Sequence, residues 1–277
     1  MRFWKYHGLG NDFILIEDAD PKLVADPEFA ERLCVRRFGV GADGILYLLR
    51  SDRADAMMRV INSDGSEAEM CGNGIRCVAK HLYDRSIVRK KKMRIDTLAG
   101  IKEVRCSIGG GEVRDVSVDM GAPMLECEDV PMLCPGKFID GELSVGGSRI
   151  KGTALSMGNP HFVIFQKVRE ERMKGLGPLI EGHKLFPRRT NVEFARVVGD
   201  RLEITVYERG AGWTLACGTG ACASAVAAAL DGLVPFDAEV EVRLPGGSLW
   251  ITVARDLSSV TMRGPATRVF EGEIDTE

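Results

Sequence analysis

The sequence predicts a mixed α/β (α+β) protein made of two similar halves, and three observations predict it. A Cys-Gly-x-Gly run opening a helix occurs twice, at Cys71-Gly72-Asn73-Gly74 and at Cys217-Gly218-Thr219-Gly220. Further landmarks recur in the same order at nearly the same offset. Between them lie short apolar runs bounded by Gly, Asn, Asp and Ser clusters, the pattern of strands and turns.

The elements follow in order. Phe3 to Tyr6 reads as a strand, Gly8-Leu9-Gly10-Asn11-Asp12 as a polar turn, and Phe13 to Glu17 as a second strand. Asp26 is a helix N-cap with Pro27 at the first helical position, and the helix runs to about Arg36. Gly39 to Gly44 is a loop before a strand at Ile45 to Leu49, and Met57 to Ile61 is the next strand, closed by the turn cluster Asn62-Ser63-Asp64-Gly65-Ser66. The first cysteine helix follows. Arg89 to Arg94 is a basic run without interleaved aromatics, read as a solvated loop before a strand rather than as an anion site. Short strands fill 93 to 120. The second half repeats this alternation, with strands, a helical region in the 170s and 180s, strands, the second cysteine helix, and more strands.

Cys71 and Cys217 are offset by 146 residues (217 less 71), as are Leu98-Ala99-Gly100 and Leu244-Pro245-Gly246 (244 less 98). At that offset Asn62 falls opposite Glu208. Gly10-Asn11 resembles Gly158-Asn159, and the run from Val118 to Pro123 resembles that from Val260 to Pro265. Such ordered self-similarity argues for two like domains, with a cleft between them into which each supplies one cysteine helix.

Composition narrows the function. The chain has 277 residues, 45% hydrophobic and 28% charged, with a net charge of −3. That is ordinary globular composition, without the basic excess of a nucleic-acid binder. No apolar run approaches the ~20 residues of a membrane span, and the N-terminus lacks the apolar core of a signal peptide. The expectation is a cytoplasmic protein with no membrane or nucleic-acid partner. The eight cysteines are then expected as free thiols. No Cys-x-x-Cys occurs and the Cys/His spacing fits no common zinc pattern, so no metal is expected. Cys34, Cys77, Cys106, Cys127, Cys134 and Cys222 read as small buried hydrophobes.

Cys71 and Cys217 read differently. A cysteine at a helix N-terminus lies beside unpaired N–H groups and the positive end of the macrodipole, a position that lowers a thiol pKa. Two such thiols suit an enzyme that inverts a carbon centre: one removes a proton as thiolate and the other returns one as thiol on the opposite face. The helix N–H groups can take a carboxylate whose charge grows as the adjacent carbon loses its proton. No pyridoxal-lysine motif is recognisable, so no cofactor is expected.

With these residues in place, the chain resembles the diaminopimelate epimerase family over nearly its whole length. The resemblance runs through His7-Gly8-Leu9-Gly10-Asn11-Asp12-Phe13, Asn62 to Ser66, Cys71 to Gly74, Met157-Gly158-Asn159-Pro160-His161, Thr190-Asn191, Tyr207 to Gly212 and Ala216 to Ala221. It implies a pyridoxal-independent isomerase that interconverts LL- and meso-2,6-diaminopimelate in lysine biosynthesis. It implies Cys71 and Cys217 as the acid/base pair, and Asn11, Asn62, Asn159, Asn191, Glu208 and Arg209 as holders of the substrate's amino and carboxylate groups. The amides of Gly72-Asn73 and Gly218-Thr219 are implied to cradle the reacting carboxylate, and His161 and Glu208 to adjust the thiols. It further implies two pseudo-symmetric domains, 1–118 with 264–277 and 119–263, each a curled mixed sheet or barrel around a central helix, and a homodimer. Three positions depart from the family pattern: Gly44 where some members carry Gln, Trp213 where Glu is common, and Phe270 where bacterial members often place Tyr at a dimer contact.

On their residues alone the site candidates stay open. His161 reads as a satisfied core histidine, Asn191 equally as turn residue or ligand, and Arg209 as a carboxylate clamp or a surface ion pair. The alternative function is another two-thiol racemase of the proline or hydroxyproline type. A thiol–disulfide protein and a non-catalytic anion-binding module are the rivals from other classes.

Overall fold

Most strands form where aliphatic runs are buried on one face or on both; the first cysteine helix is buried along its length with Arg76, Lys80 and His81 among apolar residues, and the second with mostly alanine. The computed structural model describes residues 1–275. The chain divides into two compact units, Met1–Asp119 with the chain from Arg263 onward, and Met120–Met262. Of the segment 264–277 assigned above to the first half, Thr276 and Glu277 lie outside the described residues.

The first unit comprises β1 (Arg2–Gly8), β2 (Asn11–Glu17), α1 (Pro21–Val24), α2 (Pro27–Cys34), β3 (Gly44–Leu49), β4 (Ala56–Asn62), β5 (Glu67–Ala68), α3 (Gly72–Asp84), β6 (Lys92–Thr97), β7 (Gly100–Gly109) and β8 (Glu112–Asp119). To these it adds the last strand of the chain, β18 (Thr267–Glu273). The strands pair in the order β18-β1-β2-β3-β4-β6-β7-β8, with β5 laid on β4. Two neighbours are parallel, β2 with β3 and β4 with β6. Parallel neighbours need a crossover; α1 and α2 supply the first and α3 the second. The sheet curls round α3, which packs on β1, β2, β3, β4, β7 and β8.

The second unit comprises β9 (Gly141–Val145), β10 (Ser148–Ser156), β11 (Pro160–Ile164), α4 (Glu170–Glu181), β12 (Asn191–Val198), β13 (Arg201–Glu208), β14 (Gly212–Thr214), α5 (Gly218–Leu230), β15 (Glu239–Leu244) and β16 (Gly247–Val253), and leads into β17 (Val260–Pro265). Its order is β9-β10-β11-β12-β13-β15-β16, with β14 laid on β13. The parallel neighbours are again two, β11 with β12 across α4 and β13 with β15 across α5. Here the sheet curls round α5, whose interior is largely alanine: Ala221, Ala223, Ala225, Ala227 and Ala228 are all buried. An alanine surface lets the strands approach the helix axis closely, so α5 fills its sheet with little side-chain volume.

Two expectations are corrected. The helix begun at Asp26, whose side chain accepts the Phe29 N–H at 3.2 Å, ends at Cys34 and not near Arg36. Val35 turns extended, and the last carbonyls are taken by returning chain, Leu33 O by Gly41 N and Cys34 O by Ala42 N. Cys127 and Cys134 are not free buried thiols: they form a disulfide. The turn between them folds back, with Met132 N donating to Cys127 O and Cys127 N to Gly136 O. That brings the two Cα atoms to 5.9 Å, within bridging range. The basic run enters β6 at Lys92, and Lys90 and Lys92 pair with Asp55 and Glu103. Among the described residues no helix is long and apolar enough to cross a membrane.

Burial leaves a pH signature in the first unit. It pushes the thiol of Cys34 up to about 11, that of Cys106 to about 11 and that of Cys77 to about 12, from an ordinary value of 9.0. The folded pKa is the higher one, so the stabilisation is complete below pH 9, falls as pH rises toward 11–12, and levels off above. Tyr6 and Tyr47, also pushed up by burial, add the same sign. The urea midpoint is therefore expected to fall between about pH 8 and pH 10.5, and Cys77→Ala is expected to flatten that slope; a slope of the opposite sign refutes the assignment.

Candidate functional site

Each cysteine is the N-cap of its helix. Cys71 lies in extended backbone before α3, and its sulfur accepts the N–H of Gly74 at 3.4 Å; Cys217 does the same before α5, taking the Gly220 N–H at 3.3 Å. The sulfur thus occupies the place of a capping oxygen. The preceding N–H groups, those of Gly72 and Asn73 and of Gly218 and Thr219, have no intrahelical acceptor and form the anion-ready end of each helix. The second glycine of each motif packs tightly against the strand side chains. A Cβ on Gly74 would stand 2.8 Å from Leu46 Cδ2, and one on Gly220 would stand 2.8 Å from Glu193 Oε1 and 3.2 Å from Cys217 Sγ.

The strand register collects the other candidates at the same rim as the cysteine of their own unit. In the first unit Asn11 starts β2, Gly44 starts β3 and Asn62 ends β4, with Phe13 opposite Gly44 and Gly44 opposite Asn62. In the second, Asn159 precedes β11, Asn191 starts β12 and Glu208 ends β13; His161 is opposite Asn191, and Val192 is opposite Tyr207. The pairing schemes superimpose, so Asn11 corresponds to Asn159, Gly44 to Asn191 and Asn62 to Glu208.

Around Cys71 the polar groups form a directed chain. Asn11 Oδ1 accepts from Asn73 Nδ2 at 3.1 Å and from the Cys71 thiol at 3.9 Å. Asn11 Nδ2 donates to Asp43 Oδ2 at 2.9 Å, and Asp43 is held by Arg36 at 2.6 Å. Arg36 and Lys5 also bind Asp12; burial alone would raise that carboxyl, but the two cations outweigh it and hold it low. Arg76, fully buried on α3, donates to Asn73 Oδ1, Gly72 O and Pro265 O. Asn62 Nδ2 donates to Ser66 Oγ at 3.0 Å within its own turn. His7 Nδ1 accepts the Gly10 N–H and so closes the turn before Asn11.

Around Cys217 the site is more buried and more acidic. His161 Nδ1 lies 2.7 Å from Glu193 Oε1 and His161 Nε2 lies 3.0 Å from Asn159 Oδ1, with His161 and Glu193 both fully buried. Glu208 Oε1 accepts from the Thr214 hydroxyl at 2.5 Å, and Thr219 Oγ1 lies 3.6 Å from Cys217 Sγ. Asn191 Oδ1 accepts the Arg209 N–H at 2.9 Å, and Asn191 Nδ2 donates to Pro160 O. Arg209 Nη1 donates to Arg188 O, and Glu181 of α4 accepts the Gly210 N–H, fixing the turn that carries Arg209. Trp213 packs against Tyr207 and Phe194. Among the described residues no three His, Cys, Asp or Glu side chains group to hold a metal ion.

The expected lowering of the thiol fails at Cys217. Burial pushes this thiol well above its ordinary value, and the Glu208 and Glu193 carboxylates push it further; the hydrogen bonds from Thr219 and the Gly220 N–H do not offset them. A helix end acts weakly against full desolvation. Sequence reasoning missed Glu193, Asp43, Arg36 and Glu181, none of which lies in a cysteine motif. The available signal for Glu193 was a single carboxylate between the apolar residues Val192 and Phe194.

The sequence model of the family described as Diaminopimelate epimerase matches residues 3–126 and 153–269. Relatives named diaminopimelate epimerase are 51% identical in Desulfitobacterium hafniense, 48% in Moorella thermoacetica and 46% in Methanococcus maripaludis. Each alignment covers 99% of this chain, and 98%, 99% and 100% of the relative respectively. Among solved structures, a probable proline racemase from Agrobacterium radiobacter superposes with a TM-score of 0.75 at 16% identity, over 100% of this chain and 93% of that one. A phenazine biosynthesis protein of the PhzF family from Bacillus anthracis gives 0.70 at 16% identity, over 99% and 98%. At that identity the likeness is one of fold.

Cys217 is buried and its thiol is pushed up, whereas Cys71 is half-buried. Iodoacetamide near pH 8 is therefore expected to label Cys71 at least about tenfold faster than Cys217, since only the thiolate reacts. Peptide mass spectrometry reads the two rates, and faster labelling of Cys217 contradicts the electrostatic picture.

Proposed function

The chain belongs to the diaminopimelate epimerase family, and from that membership we propose that it interconverts LL- and meso-2,6-diaminopimelate by a two-base mechanism with no added cofactor. The observation that carries the reading is the duplicated sulfur N-cap: in each unit a thiol lies beside the free N–H groups of a helix start and at the rim where that unit's asparagine or glutamate candidates gather. In this reading the division of the chain assigned from the sequence, 1–118 with 264–277 and 119–263, gives one acid/base residue to each domain.

In the proposed reaction one cysteine, as thiolate, takes the proton from the reacting carbon. Charge moves into the adjacent carboxylate, which the amides of Gly72-Asn73 and Gly218-Thr219 stabilise through preorganised N–H dipoles. The other cysteine, as thiol, returns a proton to the opposite face, and the two exchange protonation states over one turnover. Burial and the neighbouring carboxylates favour the thiol form of Cys217, which suits it to the acid's part in a turnover that begins with Cys71 as base. Asn11, Asn62, Asn159, Asn191, Glu208 and Arg209 hold the substrate's remaining amino and carboxylate groups; Arg209 suits a carboxylate and Glu208 an ammonium. His161 and Glu208 tune the Cys217 side.

The same reading places the protein in the cytoplasm, in lysine biosynthesis, as a homodimer. Val269 and Phe270, about half exposed on β18, support a face for a second copy. The proline or hydroxyproline alternative is not adopted: those proteins resemble the chain in fold at 16% identity, while the diaminopimelate epimerases match it at 46–51%.

Removing either proton carrier leaves one face of the carbon without an acid/base group. Cys71→Ala and Cys217→Ala are each expected to lower turnover by about 10²- to 10⁴-fold, the usual weight of general acid–base catalysis. In heavy water the first product molecules are expected to carry deuterium at the inverted carbon while unreacted LL-substrate stays protiated. A coupled epimerase assay and NMR of both pools at low conversion read these outcomes. Product that keeps its original protium rules out the two-base assignment.

A further inference from the structure

The two halves match strand for strand, yet they differ directly beneath the cysteine helix. Counting from the matched pair Gly44 and Asn191, two residues further along the strand lie Leu46 in the first unit and Glu193 in the second. Across the parallel pairing, Phe13 of the first unit corresponds to His161 of the second. Both positions meet the same backbone: Leu46 is the nearest neighbour of the missing Cβ at Gly74, as Glu193 is at Gly220. All four side chains are buried. One half therefore fills this place with an apolar pair, which shows that the architecture does not require an ionisable one. The other half keeps a buried carboxyl and imidazole, an arrangement that costs desolvation and persists only where it is paired or useful.

The proton count on this pair is constrained by what each atom faces. Imidazole Nδ1 meets Glu193 Oε1 and Nε2 meets Asn159 Oδ1, so both ring nitrogens face oxygen. An oxygen opposite Nε2 calls for a hydrogen on Nε2. The second hydrogen lies between Nδ1 and Oε1, on either atom, so the pair as a whole is neutral. Burial raises the Glu193 carboxyl, its Oε2 has no hydrogen-bond partner, and Glu208 and Cys217 are the other ionisable groups that bear on it. Each of these opposes a lone negative charge there and favours the neutral pair.

We propose that Glu193 is a positioning residue for the second half of the site: by holding a proton in the Glu193–His161 pair it keeps a hydrogen on His161 Nε2, and that hydrogen fixes the Asn159 amide with its oxygen inward and its NH2 group toward substrate. Loss of the pair's proton leaves two acceptors face to face, His161 Nε2 and Asn159 Oδ1, and the amide must turn over. Asn159 then offers an oxygen where a substrate carboxylate needs a donor. Asn11, the equivalent residue, needs no such device, because Asp43 takes its NH2 and Asn73 its oxygen. The proposal rests on the epimerase reading for its effect on turnover, but not for the proton on His161.

The test uses the whole chain with ¹⁵N-labelled histidine, in wild type, Glu193→Leu and Glu193→Gln. In the wild type at neutral pH, the imidazole spectrum is expected to show His161 with its hydrogen on Nε2, the atom that faces Asn159 Oδ1. Leucine reproduces the residue of the other half and is expected to fold, releasing His161 to ordinary tautomer exchange. It should lower kcat/KM by at least about tenfold, with the loss mainly in KM and the alkaline limb of the pH profile moved to lower pH. Glutamine, able to donate to Nδ1, is expected to retain a protonated Nε2 and several-fold more activity than leucine. A bare Nε2 in the wild type at neutral pH overturns the proposal, as does a folded Glu193→Leu protein with wild-type kinetics and pH profile. If Glu193→Leu fails to fold, the wild-type and Glu193→Gln imidazole spectra still decide. A wild type with the expected imidazole proton but no epimerase activity would instead strike at the proposed function.

Discussion

Sulfur taking the place of oxygen at a helix N-cap is the constraint on which much else in this protein depends. For Cys71 or Cys217 to accept the N–H of the third helical residue, the side chain must fold back over the first turn. The third helical residue is a glycine in both: a Cβ on Gly74 would crowd the Leu46 side chain, and one on Gly220 would crowd Glu193 and the sulfur itself. The N–H groups of the two residues ahead of it stay open to an anion. The motif, the close packing of helix on sheet and the anion-ready terminus are therefore one arrangement, made twice.

What surrounds each cap differs, and the difference is electrostatic. Around Cys71 the polar groups are oriented by cations: Arg36 and Lys5 hold Asp43 and Asp12, and Asp43 orients Asn11. Around Cys217 they are oriented by carboxyls: Glu193 holds His161, Glu181 holds the Gly210 N–H and Glu208 takes the Thr214 hydroxyl. Desolvation and two carboxylates then hold the Cys217 proton in place. Two copies of one scaffold thus surround their cysteines with different charged groups, in keeping with the proposed pairing of one thiol with one thiolate.

The central helices express the same division in packing. In α3 the buried face carries Ile75, Val78 and Leu82 together with Arg76, which donates to Asn73, Gly72 O and Pro265 O and so braces the Cys71 turn. In α5 the interior is alanine, and β11 and β12 pack against it. There Glu193 lies against Gly220.

Local rules of the chain were enough to place the strands and helices that carry the site, the two Cys-Gly-x-Gly caps and the repeat. Helix caps, turn residues and periodicity act over a few residues and leave a mark there; the repeat is visible because the same local rules were written twice. The chain also carries its family openly, through motifs such as Asn62 to Ser66 and Tyr207 to Gly212. Folding settled what depends on distant neighbours. Val35 turned extended because returning chain took the carbonyls of Leu33 and Cys34, and Cys127 met Cys134 because a turn brought their Cα atoms to 5.9 Å. The Cys217 thiol rose where the helix end alone predicted a fall, because folding buries it and brings the carboxylates of β12 and β13 beside it. Asp43 looks ordinary in its own segment, and Glu193 shows there only as a carboxylate between apolar neighbours. Hydrogen bonds across strands gave them their parts, and an ionisable group's energy is set by the dielectric and charges that folding brings to it.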